Sequence, residues 1–257
     1  MQSSAELGNT FSRAWELLTR NWIMIVPGLV IGIVAALIVF MLGAVGLVSA
    51  AGANAVGMAG AGLAAAFVSA MIIGAVLMVA TILVIAYTTG MAGAAWRTGT
   101  ATLDDGAAAF RTSGGQVLMA VVLLFAVGMV AVILTPFTLG LALLAFYLFF
   151  IYTLPAVIIG GRGAGEALGE SARIAAKNFL STLAVIVLLA IAFIVAAWLT
   201  RFFDWLPLLG AIIRQVITQA VAAYATLVIV GEYIKLRSSI DAVGVGVPPA
   251  ASPPPSA

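Results

Sequence analysis

The sequence predicts an all-α integral membrane protein with six transmembrane helices. Hydrophobic residues make up 64% of the chain, charged residues make up 8%, and the mean hydropathy is +1.25. Charged residues are missing from three long runs, 21–96, 112–161 and 178–200. The first run has 76 residues, whereas a single span needs only ~20 apolar residues. The first two runs are therefore long enough to cross the membrane and return.

The six spans follow from these runs and from the helix breakers inside them. Glycine and alanine dominate residues 50–60, and Pro136 with Gly140 separates the third span from the fourth. Arg214 falls inside the sixth span, close to its outer end. At ~1.5 Å per residue it lies about 27 Å from Glu232, which nearly matches the thickness of the hydrocarbon core. Its long side chain can therefore reach the far interface. The predicted spans are 23–48, 62–88, 116–136, 140–160, 179–200 and 211–233.

The distribution of lysine and arginine predicts that both termini are cytoplasmic. Nine of these 11 residues fall on one side of the predicted spans, and only Arg201 and Arg214 fall on the other. Eight of the nine acidic residues lie on the same side, so the bias is not one of net charge. Aromatic residues are predicted to anchor the cytoplasmic interface (Trp15, Trp22, Trp96 and Phe179) and the opposite interface (Trp198 and Trp205).

Three segments that precede span pairs are predicted to form interfacial helices, about 5–20, 102–112 and 165–177. The first has an apolar face at helical spacing, formed by Leu7, Phe11, Trp15, Leu18 and Trp22. Thr102 and Asp105 have the spacing of a capping box, which would start the second. Such faces either rest among lipid headgroups or pack under the bundle, and the pattern fits both.

This arrangement predicts a unit used three times, which consists of an amphipathic helix followed by a transmembrane hairpin. The first and third copies share a junction, Arg20-Asn21-Trp22 and Lys177-Asn178-Phe179, which the middle copy lacks. The alternative is that any multi-span protein places basic and aromatic residues at an interface.

Two further segments, residues 46–55 and 238–257, each have an alternative interpretation. Residues 46–55 contain small residues that a signal peptidase could accept, but the apolar stretch around them is too long for a signal peptide, so a turn between two spans is preferred. Residues 1–237 are predicted to form one membrane domain. Residues 238–257 contain five prolines and predict a disordered tail, with a polyproline ligand as the alternative.

Composition also limits the chemistry. The chain has no cysteine, which excludes disulfides and thiolate metal sites, and no histidine, the commonest general base. If Glu232 marks the inner end of the sixth span, Arg214 is the only charged residue inside a span. The lack of an acidic residue or histidine within the membrane argues against proton-coupled transport. We therefore expect no enzymatic activity, no cofactor and no bound metal.

The most polar span is the sixth, where several side chains share one helical face. Those polar side chains are Gln215, Thr218, Gln219 and Thr226. This face either lines a pore, cradles a lipid headgroup, or forms interhelical hydrogen bonds worth about 0.6 kcal/mol each. Gly28 and Gly32 in the first span have the spacing that allows close helix approach.

The chain resembles the bacterial membrane domains that precede glycerophosphoryl diester phosphodiesterase domains, and related stand-alone inner-membrane proteins. The residues that carry the resemblance are Phe11, Ala14, Trp15, Asn21, Trp22, Pro155, Gly165 to Leu168, Ser171, and Lys177 to Phe179. The resemblance implies a bacterial inner-membrane location. It does not imply phosphodiesterase activity, because that chemistry belongs to a separate metal-dependent domain.

These observations predict a non-enzymatic membrane protein that acts as a lipid-contacting scaffold or as a subunit of a membrane assembly. Its expected partners are membrane lipids and other membrane proteins. A net charge of +2 gives no indication of nucleic-acid binding. The alternative is a transporter or channel for a small or lipidic solute, which would use the polar face of the sixth span.

Overall fold

The computed structural model describes residues 4–55, 58–203 and 205–244, and these ranges contain helices without strands. The helices are α1 (Ser4–Arg20), α2 (Val26–Ala55), α3 (Ala59–Thr98), α4 (Leu103–Leu134), α5 (Leu141–Phe150), α6 (Thr153–Ile158), α7 (Ala164–Lys177), α8 (Phe179–Arg201) and α9 (Pro207–Gly244), with a short 3-10 turn at Trp22–Ile25. Among these described residues, six helical segments are long and apolar enough to cross a membrane. The predicted all-α fold with six spans is confirmed.

The bounds of those six segments differ from the predicted ones: five segments are longer than predicted, and the fourth is shorter. They are Trp22–Ala53, Gly60–Thr98, Leu103–Leu134, Leu141–Ile158, Phe179–Arg201 and Leu209–Ser238. The helix that contains the sixth segment also runs on through residues assigned to the disordered tail and ends at Gly244. The rest of that predicted tail, residues 245–257, lies outside the described residues.

The middle interfacial helix is not a separate element. Residues 102–112 and the third span were predicted apart, but α4 is continuous from Leu103 to Leu134. The predicted capping box is present: the Thr102 amide donates to Asp105 Oδ2 at 2.8 Å, and the Asp105 amide donates to Thr102 Oγ1 at 3.3 Å. Gly114 and Gly115 do not interrupt the helix, because an internal glycine costs only about 1 kcal/mol.

The fourth span is broken between α5 and α6. Pro155 has no amide hydrogen and disfavours a helical turn before it. Ser171 on α7 compensates, because its hydroxyl donates to the Phe149 carbonyl at 2.7 Å and accepts from the Tyr152 amide at 3.1 Å. Unpaired backbone groups are costly inside a membrane, so this tertiary contact stabilises the break.

Most buried side chains lie at one end of the bundle, which we call the packed end. It consists of α1, α6 and α7 with residues 82–98 of α3, 103–120 of α4, 179–189 of α8 and 223–237 of α9. Alanines such as Ala14, Ala92 and Ala167 are fully buried there and let the helices approach closely. Elsewhere large apolar side chains are exposed, for example Phe137 at 83% and Leu139 at 94%.

One side of α1 packs against the rest of the bundle. The buried side chains on that side are Thr10, Ala14, Leu17 and Leu18, and Asn21 directly after the helix is also buried. Trp15 and Trp22, however, are 60% and 69% exposed. The apolar face predicted for this segment is therefore divided: Leu18 is buried, whereas the two tryptophans are largely exposed.

Candidate functional site

Glu232 on α9 is completely buried, with 0% of its surface exposed. Its Oε1 atom accepts a hydrogen bond from Thr10 Oγ1 on α1 at 2.6 Å and lies 3.7 Å from Lys235 Nζ. Its Oε2 atom has no hydrogen-bond partner among the described residues. Burying a carboxylate costs several kcal/mol unless it is well paired. Glu232 was taken from the sequence as the inner end of the sixth span, and its burial inside the protein was not predicted.

No local pattern reveals the burial of Glu232. It stands near the end of the predicted sixth span, where a charged residue usually reaches water. Its partner Thr10 is 222 residues away in the sequence. Thr10 itself lies one turn before Ala14 on α1, so it shares the side of α1 that packs on the bundle.

Glu170 on α7 joins three groups from other parts of the packed end. Its Oε2 atom accepts from Arg162 Nε at 2.8 Å, and its Oε1 atom accepts from the Tyr233 hydroxyl at 2.7 Å. Arg237 Nη1 donates to the same tyrosine hydroxyl at 3.1 Å. The hydrogen bond and charge of Glu170 raise the pKa of the exposed Arg162 guanidinium. Together these contacts link α7 and the loop before it to α9.

Asn21 fixes the end of α1 against the loop between α3 and α4. Its Nδ2 atom donates to the Leu17 carbonyl at 2.9 Å and the Gly99 carbonyl at 3.1 Å. Its Oδ1 atom accepts from the Ala101 amide at 2.8 Å. Within the described residues, the side chain of the equivalent Asn178 makes one local hydrogen bond, to the Ile174 carbonyl at 3.1 Å. The two junctions that look alike in sequence are thus structurally different.

Trp96 joins α3 to α9. Its Nε1 atom donates to the Leu227 carbonyl at 2.8 Å, and its ring occupies the space beside Gly231, where any Cβ would overlap with it. The guanidinium of Arg13 lies 5.1 Å from the ring centre, within cation–π range. Trp96 was predicted as an interfacial anchor; its half-buried indole contacts α9 and Arg13.

The other predicted anchors are exposed. These are Trp15, Trp22, Phe179, Trp198 and Trp205. Trp15 also packs edge-on against Tyr224 of α9, with ring centres 6.0 Å apart. Exposed aromatic side chains of this kind are typical of the boundary between hydrocarbon and water.

The polar face of the sixth span packs against the glycines of the first. A Cβ on Gly28 would overlap with the Gln219 side chain, and a Cβ on Gly32 would overlap with the Gln215 amide. Within the described part of the chain, neither glutamine side chain makes a hydrogen bond. Two separate predictions, the polar face and the close approach at the glycines, therefore describe one contact between α2 and α9.

The remaining residues of the predicted polar face do not join this contact. Thr218 is exposed. Thr226 is half-buried, and its hydroxyl donates to the Ala222 carbonyl at 2.9 Å within its own helix. A threonine that bonds back to its own turn leaves no donor for another helix or a ligand. Among the described residues, Gln215 and Gln219 are the members of this face that lie against the glycines of another span.

Two grooves run beside α2 and α3. The first, which we call the Gln219 groove, has a volume of about 510 Å³ and is lined by Gly28, Gly32, Ala36, Thr81, Gln219 and Ala222 among others. The second, the Asp104 groove, consists of two adjoining cavities of about 450 and 500 Å³ that share Val30, Ile31 and Leu83. Both grooves are in the size range of small-molecule sites.

No group of acidic side chains in the described ranges has the arrangement of a metal site. The fold and these contacts define the class: an all-helical protein with six apolar helices that are joined by polar side chains at one end. The chain belongs to the family described as Domain of unknown function (DUF7847), whose model matches residues 6–236. No curated protein and no solved structure matches the chain. Membership of an uncharacterised family is thereby confirmed, without a link to the phosphodiesterase membrane domains that the sequence resembles.

Proposed function

We propose that the protein is a non-enzymatic membrane component, which contacts lipid and acts as a scaffold or as a subunit of a membrane assembly. One observation carries the proposal: two acidic side chains of the packed end, Glu232 and Glu170, are each paired with side chains from other parts of the chain. A catalytic acid or base needs access to its substrate. These carboxylates instead hold α1, α7 and α9 together.

The apolar surface outside the packed end supports contact with lipid. Large aliphatic and aromatic side chains are exposed along α2, α3, α4 and α8. In water such a surface would drive association, but it matches the acyl chains of a bilayer. The partners that follow from it are membrane lipids and the apolar surfaces of other membrane proteins.

The location proposed is the bacterial cytoplasmic membrane, with both termini in the cytoplasm. The lysine and arginine bias of the sequence and its resemblance to bacterial inner-membrane proteins support this orientation. A reporter fused after Arg237 should be active in the cytoplasm, whereas one inserted after Thr138 should report the opposite side. A cytoplasmic signal after Thr138 would contradict the proposed orientation.

The scaffold proposal is tested with purified full-length protein in liposomes. We expect bound lipid after purification but no release of trapped small solutes. Spontaneous solute movement that depends on the protein would overturn the scaffold role.

A second candidate is transport of a small or lipidic solute, and the Gln219 groove favours it. Gln219 lines this groove, and its amide is unbonded within the described residues. Replacement of Gln215 and Gln219 by leucine separates the two candidates. The double variant should fold and retain lipid if the protein is a scaffold, and it should lose solute flux if the protein is a transporter.

A further inference from the structure

The Asp104 groove has the length of one membrane leaflet. Its wall on α2 runs from Val26 to Ile38 and its wall on α3 from Tyr87 to Ala75. Each wall covers 12 residue steps, which is about 18 Å at ~1.5 Å per residue. Half of a hydrocarbon core that is ~30 Å thick is about 15 Å. An acyl chain that follows the groove would therefore extend from the headgroup region toward the middle of the bilayer.

The two ends of the groove differ in chemistry. The deep part is lined by aliphatic side chains alone, among them Val34, Ile38 and Val79. The end at the packed end is lined by Tyr87 and Asp104. In the described ranges neither the Tyr87 hydroxyl nor the Asp104 carboxylate has a hydrogen-bond or ion-pair partner. One end can therefore hold a polar, positively charged group while the other holds hydrocarbon.

The charge at that end selects among lipids. Asp104 carries a negative charge and is exposed, whereas its neighbour Asp105 is engaged in the capping box with Thr102. A carboxylate at this position repels an anionic headgroup such as that of phosphatidylglycerol and attracts an ammonium group. The Tyr87 hydroxyl can donate to a phosphate or ester oxygen.

We propose that the Asp104 groove binds one phospholipid that carries an ammonium headgroup, with Asp104 facing the ammonium and an acyl chain between α2 and α3. Phosphatidylethanolamine has this chemistry. The inference rests on the lipid-contacting role proposed above and adds a site and a class of lipid. The proposed occupant of the groove is thus a lipid, and the alternative occupants are a second copy of the chain or another membrane helix.

The charge is tested by exchange of Asp104 for asparagine. The full-length protein is placed in nanodiscs with equal amounts of phosphatidylethanolamine and phosphatidylglycerol of the same acyl chains, and lipids retained on it are counted by native mass spectrometry. The wild type should retain more phosphatidylethanolamine, and Asp104→Asn should lower that ratio by about fivefold, the factor that one interfacial charge contributes. Glu166→Gln is the matched control, since Glu166 is also an exposed acid in the first turn of a helix.

The groove itself is tested by exchange of Ala75 for tryptophan, which would fill its deep part. Ala75 is exposed, so this variant should fold. It should lose retained phosphatidylethanolamine, whereas Ala190→Trp, at an exposed alanine of α8 that does not line this groove, should keep it.

Three outcomes would overturn the inference. They are equal retention of the two lipids by the wild type, an unchanged ratio in Asp104→Asn, or a change of oligomeric state in Ala75→Trp with lipid retention intact. In each case lipid still binds, so the proposed lipid-contacting role survives. Absence of any retained lipid on the wild type would instead remove that role as well.

Discussion

The hydroxyl of Thr10 donates a 2.6 Å hydrogen bond to the buried carboxylate of Glu232, across 222 residues of sequence. This contact joins the first described helix to the last. Since Lys235 Nζ is 3.7 Å from the same oxygen, the carboxylate is held by a neutral donor and by a cation on its own helix. The position of α1 therefore depends on a polar contact as well as on apolar packing.

Removal of the Thr10 hydroxyl should destabilise the protein. Thr10→Val keeps the shape of the side chain but takes away a hydrogen bond to a charged group, which contributes about 1.5–3 kcal/mol. Unfolding in mixed micelles measures this loss. Thr19→Val is the control, because the exposed Thr19 hydroxyl bonds only to the Glu16 carbonyl one turn earlier. Equal stability of the two variants would contradict the role of Thr10.

The coupling between Thr10 and Glu232 is measurable by a double-mutant cycle. Glu232→Gln removes the charge and keeps an acceptor of similar shape. If the two side chains interact as observed, the effects of Thr10→Val and Glu232→Gln on the free energy of unfolding should differ from additivity by about 0.5–3 kcal/mol. Additive effects would show that the hydrogen bond contributes nothing to stability.

The contact between Gly28 and Gln219 predicts a rescue. Gly28→Ala should lower the free energy of unfolding by about 1–3 kcal/mol, as overpacking generally does, because its Cβ would overlap with the Gln219 side chain. Gln219→Ala in the same protein should recover most of that loss. Gly43→Ala on the same helix is the control, since a Cβ there meets no atom within 4 Å. Failure of the rescue would exclude this packing.

The two asparagines at similar junctions should respond unequally. Asn21→Leu leaves the Ala101 amide and the Gly99 carbonyl without their side-chain partner, which costs about 1–3 kcal/mol for a buried group. Asn178→Leu removes one local bond and should cost less. Thermal unfolding of both variants gives the comparison. A larger loss of stability in Asn178→Leu than in Asn21→Leu would contradict the role given to the Asn21 contacts.

The indole nitrogens of two predicted anchors also allow a comparison. Trp96→Phe removes the bond to the Leu227 carbonyl and should destabilise the protein by about 1 kcal/mol. Trp22→Phe, at an exposed position, should change stability by less than about 0.5 kcal/mol. An unfolding titration should therefore show a larger loss of stability in Trp96→Phe than in Trp22→Phe.

The sequence determined the fold class and the number of spans, and the physical reason is local. A charged side chain is costly in hydrocarbon wherever it falls, so the uncharged runs mark the spans without any knowledge of packing. The capping box at Thr102 and Asp105 was also readable, because its two partners are three residues apart. The continuity of α4 beyond it was not, since two glycines weaken a helix without ending it.

Only the tertiary structure decided which polar residues are buried and what they contact. Glu232 lies at a helix position where lysine, arginine or glutamate usually reach water, and its burial depends on α1 docking against α9. Gln219 and Gly28 were each visible as weak signals, but their pairing depends on which faces of α2 and α9 meet. Trp96 likewise turns inward because Gly231 leaves room for its ring. Helical periodicity fixes which residues share a face, whereas the partner of that face is set by packing between helices that are distant in the chain.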